Sequence, residues 1–144
     1  MQGYPGSKAT DMYLSQRLET ASPEQLAAIL LEGGQKFLIL ALAAMESNDI
    51  PKKARYVNRV SDFISEMTVR LNPDGGEAAA NLKRLYKWWT NEVFAGARSN
   101  QPQRLELVLR HMGEMRATWE ERHRLNLAAQ QPLKAATSLD LMVG

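Results

Sequence analysis

Glu120 and His123 stand three residues apart, which on a helix puts a carboxylate and an imidazole on one face. Di-iron bundles use this Glu-x-x-His spacing, but they need two such pairs and two further inward carboxylates. The other histidine, His111, has Val108 three residues before it, and Trp119 claims the core face beside Glu120. We therefore read Glu120 and His123 as a solvated helix end and expect no metal. Gly-x-Ser-x-Gly and His-Glu-x-x-His are absent, and Gly75-Gly76 lacks the Lys and Ser/Thr of a phosphate loop. Two histidines and no cysteine leave few general bases or nucleophiles, so neither catalysis nor a cofactor is expected. Lys83, Arg84 and Lys87, near Tyr86, Trp88 and Trp89, are residue types that neutralise phosphate and stack on bases. Glu77 and Glu92 flank them, however, and the net charge of the 144 residues is only +2. The better reading is a solvated face above an aromatic core, with no nucleic-acid partner.

Helix signals carry more information. Ser22 is suited to cap a helix, Pro23 to its first position, and Gln25, three residues on, to close a capping box. This first helix runs from about Pro23 to Glu46 and is apolar around most of its circumference. A surface helix needs only one apolar stripe. Ser47-Asn48-Asp49 breaks it and Pro51 opens a second helix, with Ile50, Val57, Val60, Ile64, Met67 and Leu71 as its core stripe. Asn72-Pro73-Asp74-Gly75-Gly76 is a turn. A third helix follows with Leu82, Tyr86, Trp89 and Val93 on one face. Ser99-Asn100-Gln101 ends it, and Pro102 opens a fourth, with Leu105, Val108, Met112, Met115 and Trp119 in steps of three and four. Pro132 stops that pattern. No stretch shows β-branched alternation. Short connections force neighbouring helices antiparallel.

The spacing thus predicts an all-α fold, an antiparallel up-down four-helix bundle over residues 22–131. An N-terminal arm (1–21), mobile and partly ordered at best, precedes it, and a flexible tail (132–144) follows. Basic and acidic residues, 18 and 16, are interspersed. The absence of cysteine fits a reducing cytosol. Tyr4-Pro5-Gly6-Ser7-Lys8 stands where a signal peptide would need an apolar core, and the first helix contains Glu32, Gln35 and Lys36. The expectation is a cytoplasmic protein without membrane insertion.

The apolar residues exceed what four core stripes require. Ile29 and Leu38 fall outside the Leu26/Leu30/Phe37/Ala41 line of the first helix. Tyr56 and Phe63 sit beside the second stripe. Trp88 adjoins Trp89, and Leu107 and Leu109 flank Val108. Each alone is explained by a wide core stripe. Together they imply a contiguous apolar surface, the mark of a partner site, and an apolar groove between helices receives an amphipathic helix. Ile29, Leu38, Tyr56, Phe63, Trp88, Leu107 and Leu109 are the candidate partner-binding residues. A general adaptor for a secreted helix fits these features too.

Ser22-Pro23-Glu24-Gln25-Leu26, the leucine run behind it, a mid-helix glycine and Phe37-Leu38 resemble the first helix of the flagellin-specific secretion chaperones, the FliS family. Leu71-Asn72, Gly75-Gly76, Ala79, Asn81-Leu82 and Leu85-Tyr86, then Met115-Arg116 and Trp119, resemble later parts of that family in the same order, from about Tyr13 to Leu125. The resemblance implies a cytosolic export chaperone. It would bind the disordered C-terminal segment of flagellin, prevent premature polymerisation and deliver the subunit to the flagellar export apparatus. It also places Tyr13 at the family's N-terminal tyrosine, on an arm that covers part of the empty groove and contacts the export gate.

Overall fold

The structure, a computed structural model, describes the backbone of residues 7–143 and the side chains of Met12 and of residues 15–130. Five helices follow one another: α1 (Ser7–Thr20), α2 (Pro23–Glu46), α3 (Ile50–Val69), α4 (Gly76–Arg98) and α5 (Pro102–Val143). No strand occurs among the described residues.

The helix ends follow from local chemistry. The Ser22 hydroxyl accepts the Gln25 amide at 3.1 Å and the Gln25 side chain accepts the Ser22 amide at 3.0 Å, closing the expected capping box. Asp49 caps α3 by accepting the Lys52 amide at 3.2 Å. Asn48 (φ 56°) and Asn100 (φ 53°) take the left-handed conformation that ends α2 and α4. In each case the next amide bonds back to the helix, Asp49 to Ala44 and Gln101 to Gly96, both at 2.8 Å. Asparagine tolerates this geometry better than other residues with a side chain. Two three-residue connections, 47–49 and 99–101, thereby reverse the chain.

Helices α2 to α5 form a ring in which α2 packs on α3 and α5, and α4 packs on α3 and α5. Side-chain pairs run antiparallel along the seams, with Ser22 near His123 and Gln35 near Arg116 between α2 and α5. Tyr86 near Met115 and Glu92 near Arg104 do the same between α4 and α5. Leu31, Leu38, Val60, Ile64, Trp89, Val93, Leu105, Val108 and Met112 are essentially inaccessible and make the centre. The expected stripes Val57/Val60/Ile64/Met67 and Leu105/Val108/Met112 are buried. Ile50 is not: it sits in the first turn of α3, before the helices have converged, and is 54% exposed. The Trp89 indole N–H donates to His111 Nδ1 at 3.3 Å, so the largest core side chain keeps a partner for its polar atom. Burial pushes the neighbouring Tyr86 hydroxyl above its ordinary pKa.

Close helix approach depends on glycine at two further places. A Cβ on Gly34 would stand 3.0 Å from Met112 Sδ on α5, and one on Gly96 would stand 2.7 Å from Leu105 Cδ1. By length and composition α2 is apolar enough to cross a membrane, but ten of its residues are buried within the bundle.

The two ends of the chain differ from expectation. A helix, α1, occupies much of the stretch read as an arm, and its Leu18 packs against the core edge. Helix α5 runs through Pro132 to Val143, where the pattern was expected to stop. Proline costs an internal helix one hydrogen bond and a steric clash. The segments on either side, Leu127-Ala-Ala-Gln-Gln and Leu133-Lys-Ala-Ala, are strong helix formers.

The α4–α5 turn carries a two-pronged ion pair. Arg104 Nη2 reaches Glu92 Oε2 at 2.7 Å and Nε reaches Oε1 at 3.2 Å, while Nη1 bonds Gln101. Hydrogen bonding to the guanidinium holds the Glu92 carboxyl below its ordinary pKa of 4.5. A carboxyl lowered by folding stabilises the fold above its unfolded pKa, and that stabilisation is lost as pH falls through the folded value. Glu92→Gln should therefore lower the melting temperature at pH 7. The gap between wild type and variant should close as pH drops below 4.5, the ordinary glutamate value. Thermal melts across that range check this, and a gap independent of pH would contradict it.

Candidate client groove

The outer face of α2, turned away from the bundle, has the residues that a surface helix usually makes polar. Ile29, Gly33, Lys36 and Leu40 follow at intervals of four, three and four, with Ile39 alongside. Together with Phe63 of α3, Arg116 of α5 and Arg17 of α1 they line an open groove of about 670 Å³. Ile39 is 56% exposed there.

Gly33 makes the floor. A Cβ at this position would lie 2.3 Å from Phe63 Cε1, inside the ring's van der Waals envelope. Without it, the Phe63 ring slides beneath α2 and stacks on Phe37 at 5.9 Å. Phe37 also meets Tyr56 at 6.1 Å. Cations sit over these rings: the Arg59 guanidinium is 5.1 Å from the Phe37 centroid and 5.6 Å from that of Phe63, and Lys36 Nζ is 5.9 Å from Phe37.

The opposite rim is an ion network. Glu32 Oε2 lies 3.7 Å from both Arg17 and Arg116. Arg116 also donates to Glu120 at 2.6 Å and to Gln35 at 3.2 Å. Just beyond, His123 Nδ1 and the Ser22 hydroxyl are 3.1 Å apart. Glu120 and His123 are thus each engaged by protein partners. Arg17 fastens the end of α1 to the groove's edge.

Two other features involve residues singled out in the sequence. At the bundle end, Leu26, Leu30, Met67, Leu82, Tyr86 and Trp119 enclose a recess of about 200 Å³. On the α4–α5 seam, Trp88 is 41% exposed and stacks on His111 at 5.9 Å.

The candidate residues divide accordingly. Ile29 and Phe63 line the groove, although both are largely buried, and Phe63, 7% exposed, is a core residue presenting one edge. The reading of Phe63 as outside the core is corrected: the Gly33 notch draws it inward. Tyr56 is half-buried behind the floor, packed on Phe37. Leu38 is corrected outright, because at 0% exposure it faces the bundle centre and has no outward surface. Trp88 lies on the seam away from this groove. Leu107 and Leu109 are half-buried on α5, with Leu109 packed at the core edge. The Tyr13 side chain lies outside the described residues. Gly33, Lys36, Ile39, Leu40 and Arg116 were not among the candidates. Their signal was the spacing Ile29/Gly33/Lys36/Leu40 on a helix whose inner face was already filled.

The family model described as flagellar protein FliS matches residues 6–126. The flagellar secretion chaperone FliS of Vibrio cholerae is 31% identical over 106 residues, 73% of this chain and 78% of the relative. Flagellar secretion chaperone FliSB of Pseudomonas aeruginosa is 30% identical over 105 residues, 72% and 83% respectively. FliS of Bacillus subtilis is 25% identical over 109 residues, 76% and 81%.

Replacing Gly33 tests the floor. Alanine gains about 1 kcal/mol of helix propensity, yet its methyl must displace a packed ring, and overpacking costs about 1–3 kcal/mol. Gly33→Ala should lower the melting temperature, and adding Phe63→Leu should recover part of the loss. Losses that simply add would mean that Gly33 and Phe63 do not meet.

Proposed function

This chain belongs to the FliS family, and we propose on that premise that it is a flagellar export chaperone whose client is the disordered C-terminal segment of flagellin. The observation that carries the proposal is the apolar outer face of α2, opened by Gly33 over Phe63. An amphipathic segment laid along it would bury Ile39 and Leu40 and gain in the groove the helical neighbours it otherwise finds in the filament. Folding on binding costs the ordering entropy of the segment, so the receiving surface must be long and apolar. Trp88 and Leu107, on the α4–α5 side, would give a client that wraps the bundle a second, separate apolar contact. Sequestered in this way the segment cannot polymerise early, and the complex is delivered in the cytoplasm to the export gate, with Tyr13 taking part in the gate contact. The reading includes no catalytic step.

Helix α1 competes with the client. It already touches the groove rim through Arg17 and Glu32, and an occupied site reduces apparent affinity by the fraction of time it is occupied.

Purified protein mixed with the flagellin C-terminal segment should bind one to one by calorimetry, with more helix by circular dichroism than the two components summed. A spectrum equal to the sum, together with no heat of binding, would refute the assignment. Removing residues 1–18 should tighten binding of the isolated segment by several-fold, increase aggregation of the empty protein, or both. Arg17→Ala, which removes an exposed ion pair of about 0.2–1 kcal/mol, should show a smaller shift in the same direction. Unchanged affinity in a truncated protein that stays monomeric would leave α1 no competing role.

A further inference from the structure

We propose that the groove selects by charge: it is built for an amphipathic helix that carries carboxylates beside its apolar stripe. The proposal rests on the reading of the groove as the client site and names the chemistry of what enters it. Among its lining residues, Arg17, Lys36 and Arg116 are basic and Glu32 is acidic. Glu32 is shared between Arg17 and Arg116, and Arg116 of α5 remains beside it when a client displaces α1 and Arg17 with it. Toward α3 stand Lys36 of α2 and Arg59 of α3, the latter paired with Asp62 at 3.9 Å on the exposed side of α3.

The two cations are placed by the groove's own floor. The Arg59 guanidinium lies over both Phe37 and Phe63, and the Lys36 ammonium stands near Phe37. Ring faces attract cations and keep them next to the apolar surface that a client stripe would cover. A helix with glutamates flanking its apolar stripe meets the exposed Lys36 ammonium with opposite charge. A helix with lysines there meets like charge at the moment water is excluded, and specificity arises as much from that rejection as from attraction.

The test uses the whole chain and two designed peptides of about 18 residues, long enough for helix to form on a surface. Both carry one Leu/Ile stripe; the flanking positions are glutamate in one and lysine in the other. Fluorescence anisotropy at about 0.05 M salt should show the glutamate peptide binding about tenfold more tightly, and the margin should shrink at about 0.5 M salt as exposed charges are screened. Lys36→Glu, a change at an exposed position, should erase most of the preference, with an unchanged melting temperature showing that the fold is intact. Ile39→Asp should weaken the glutamate peptide strongly. Equal affinities, a lysine preference, or a glutamate preference indifferent to Lys36→Glu would overturn charge selection while leaving the flagellin assignment standing on its own binding test. A glutamate peptide unaffected by Ile39→Asp docks elsewhere and overturns the proposal too.

Discussion

The architecture depends on one constraint: α2 is apolar around most of its circumference, and a four-helix ring can cover only part of it. Leu30, Leu31, Leu38 and Ala41 face inward and are buried by α3 and α5. That leaves Ile39 exposed and Leu40 half-buried on the outer side of α2, beside the Gly33 notch that Phe63 of α3 fills from below. A polar outer face would have made α2 an ordinary member of the bundle. The apolar one leaves the protein with exposed apolar area, whose burial is favoured in proportion to the area covered.

Electrostatics then give that surface polarity. The α5 rim is a closed network in which Arg116 holds Glu32, Glu120 and Gln35 together. The α3 rim is a pair of cations seated near aromatic rings. The first ties α1, α2 and α5 to one another, and in the second Lys36 is exposed while Arg59 pairs with Asp62.

Much of this was legible in the sequence, for identifiable reasons. Helix starts at Pro23 and Pro102 and breaks at Asn48 and Asn100 are written in local chemistry, and local chemistry decides helix ends. The core stripes of α3 and α5 followed from steps of three and four, because burial follows periodicity wherever neighbours lie on one side. The reading failed where geometry between helices decides. Leu38 looked surplus on a helical wheel but lies at the centre, since α2 is flanked on two sides and buries a broad sector. Phe63 looked peripheral but is drawn under α2 by a missing side chain at Gly33, a contact thirty residues distant that no single-helix pattern contains. Ile50 fitted the stripe but sits at the mouth of the bundle. Pro132 signalled a stop that its neighbours' helix propensity overrode.

Among the described residues the core holds no buried polar or charged side chain. Beyond the Trp89 indole N–H on His111 and the Tyr86 hydroxyl beside Met115, this apolar interior holds little polar bonding to penalise a helix that slides by one turn, and apolar cores lose uniqueness before they lose stability. Here the axial alignment is keyed by shape. Gly33 receives Phe63 between α2 and α3, Gly34 receives Met112 between α2 and α5, and Gly96 receives Leu105 between α4 and α5. Each is a notch that fits one knob at one height, so any slip drives a bulky side chain into backbone. Three absent side chains thus share with the Trp89–His111 bond the work that buried polar pairs do in other bundles.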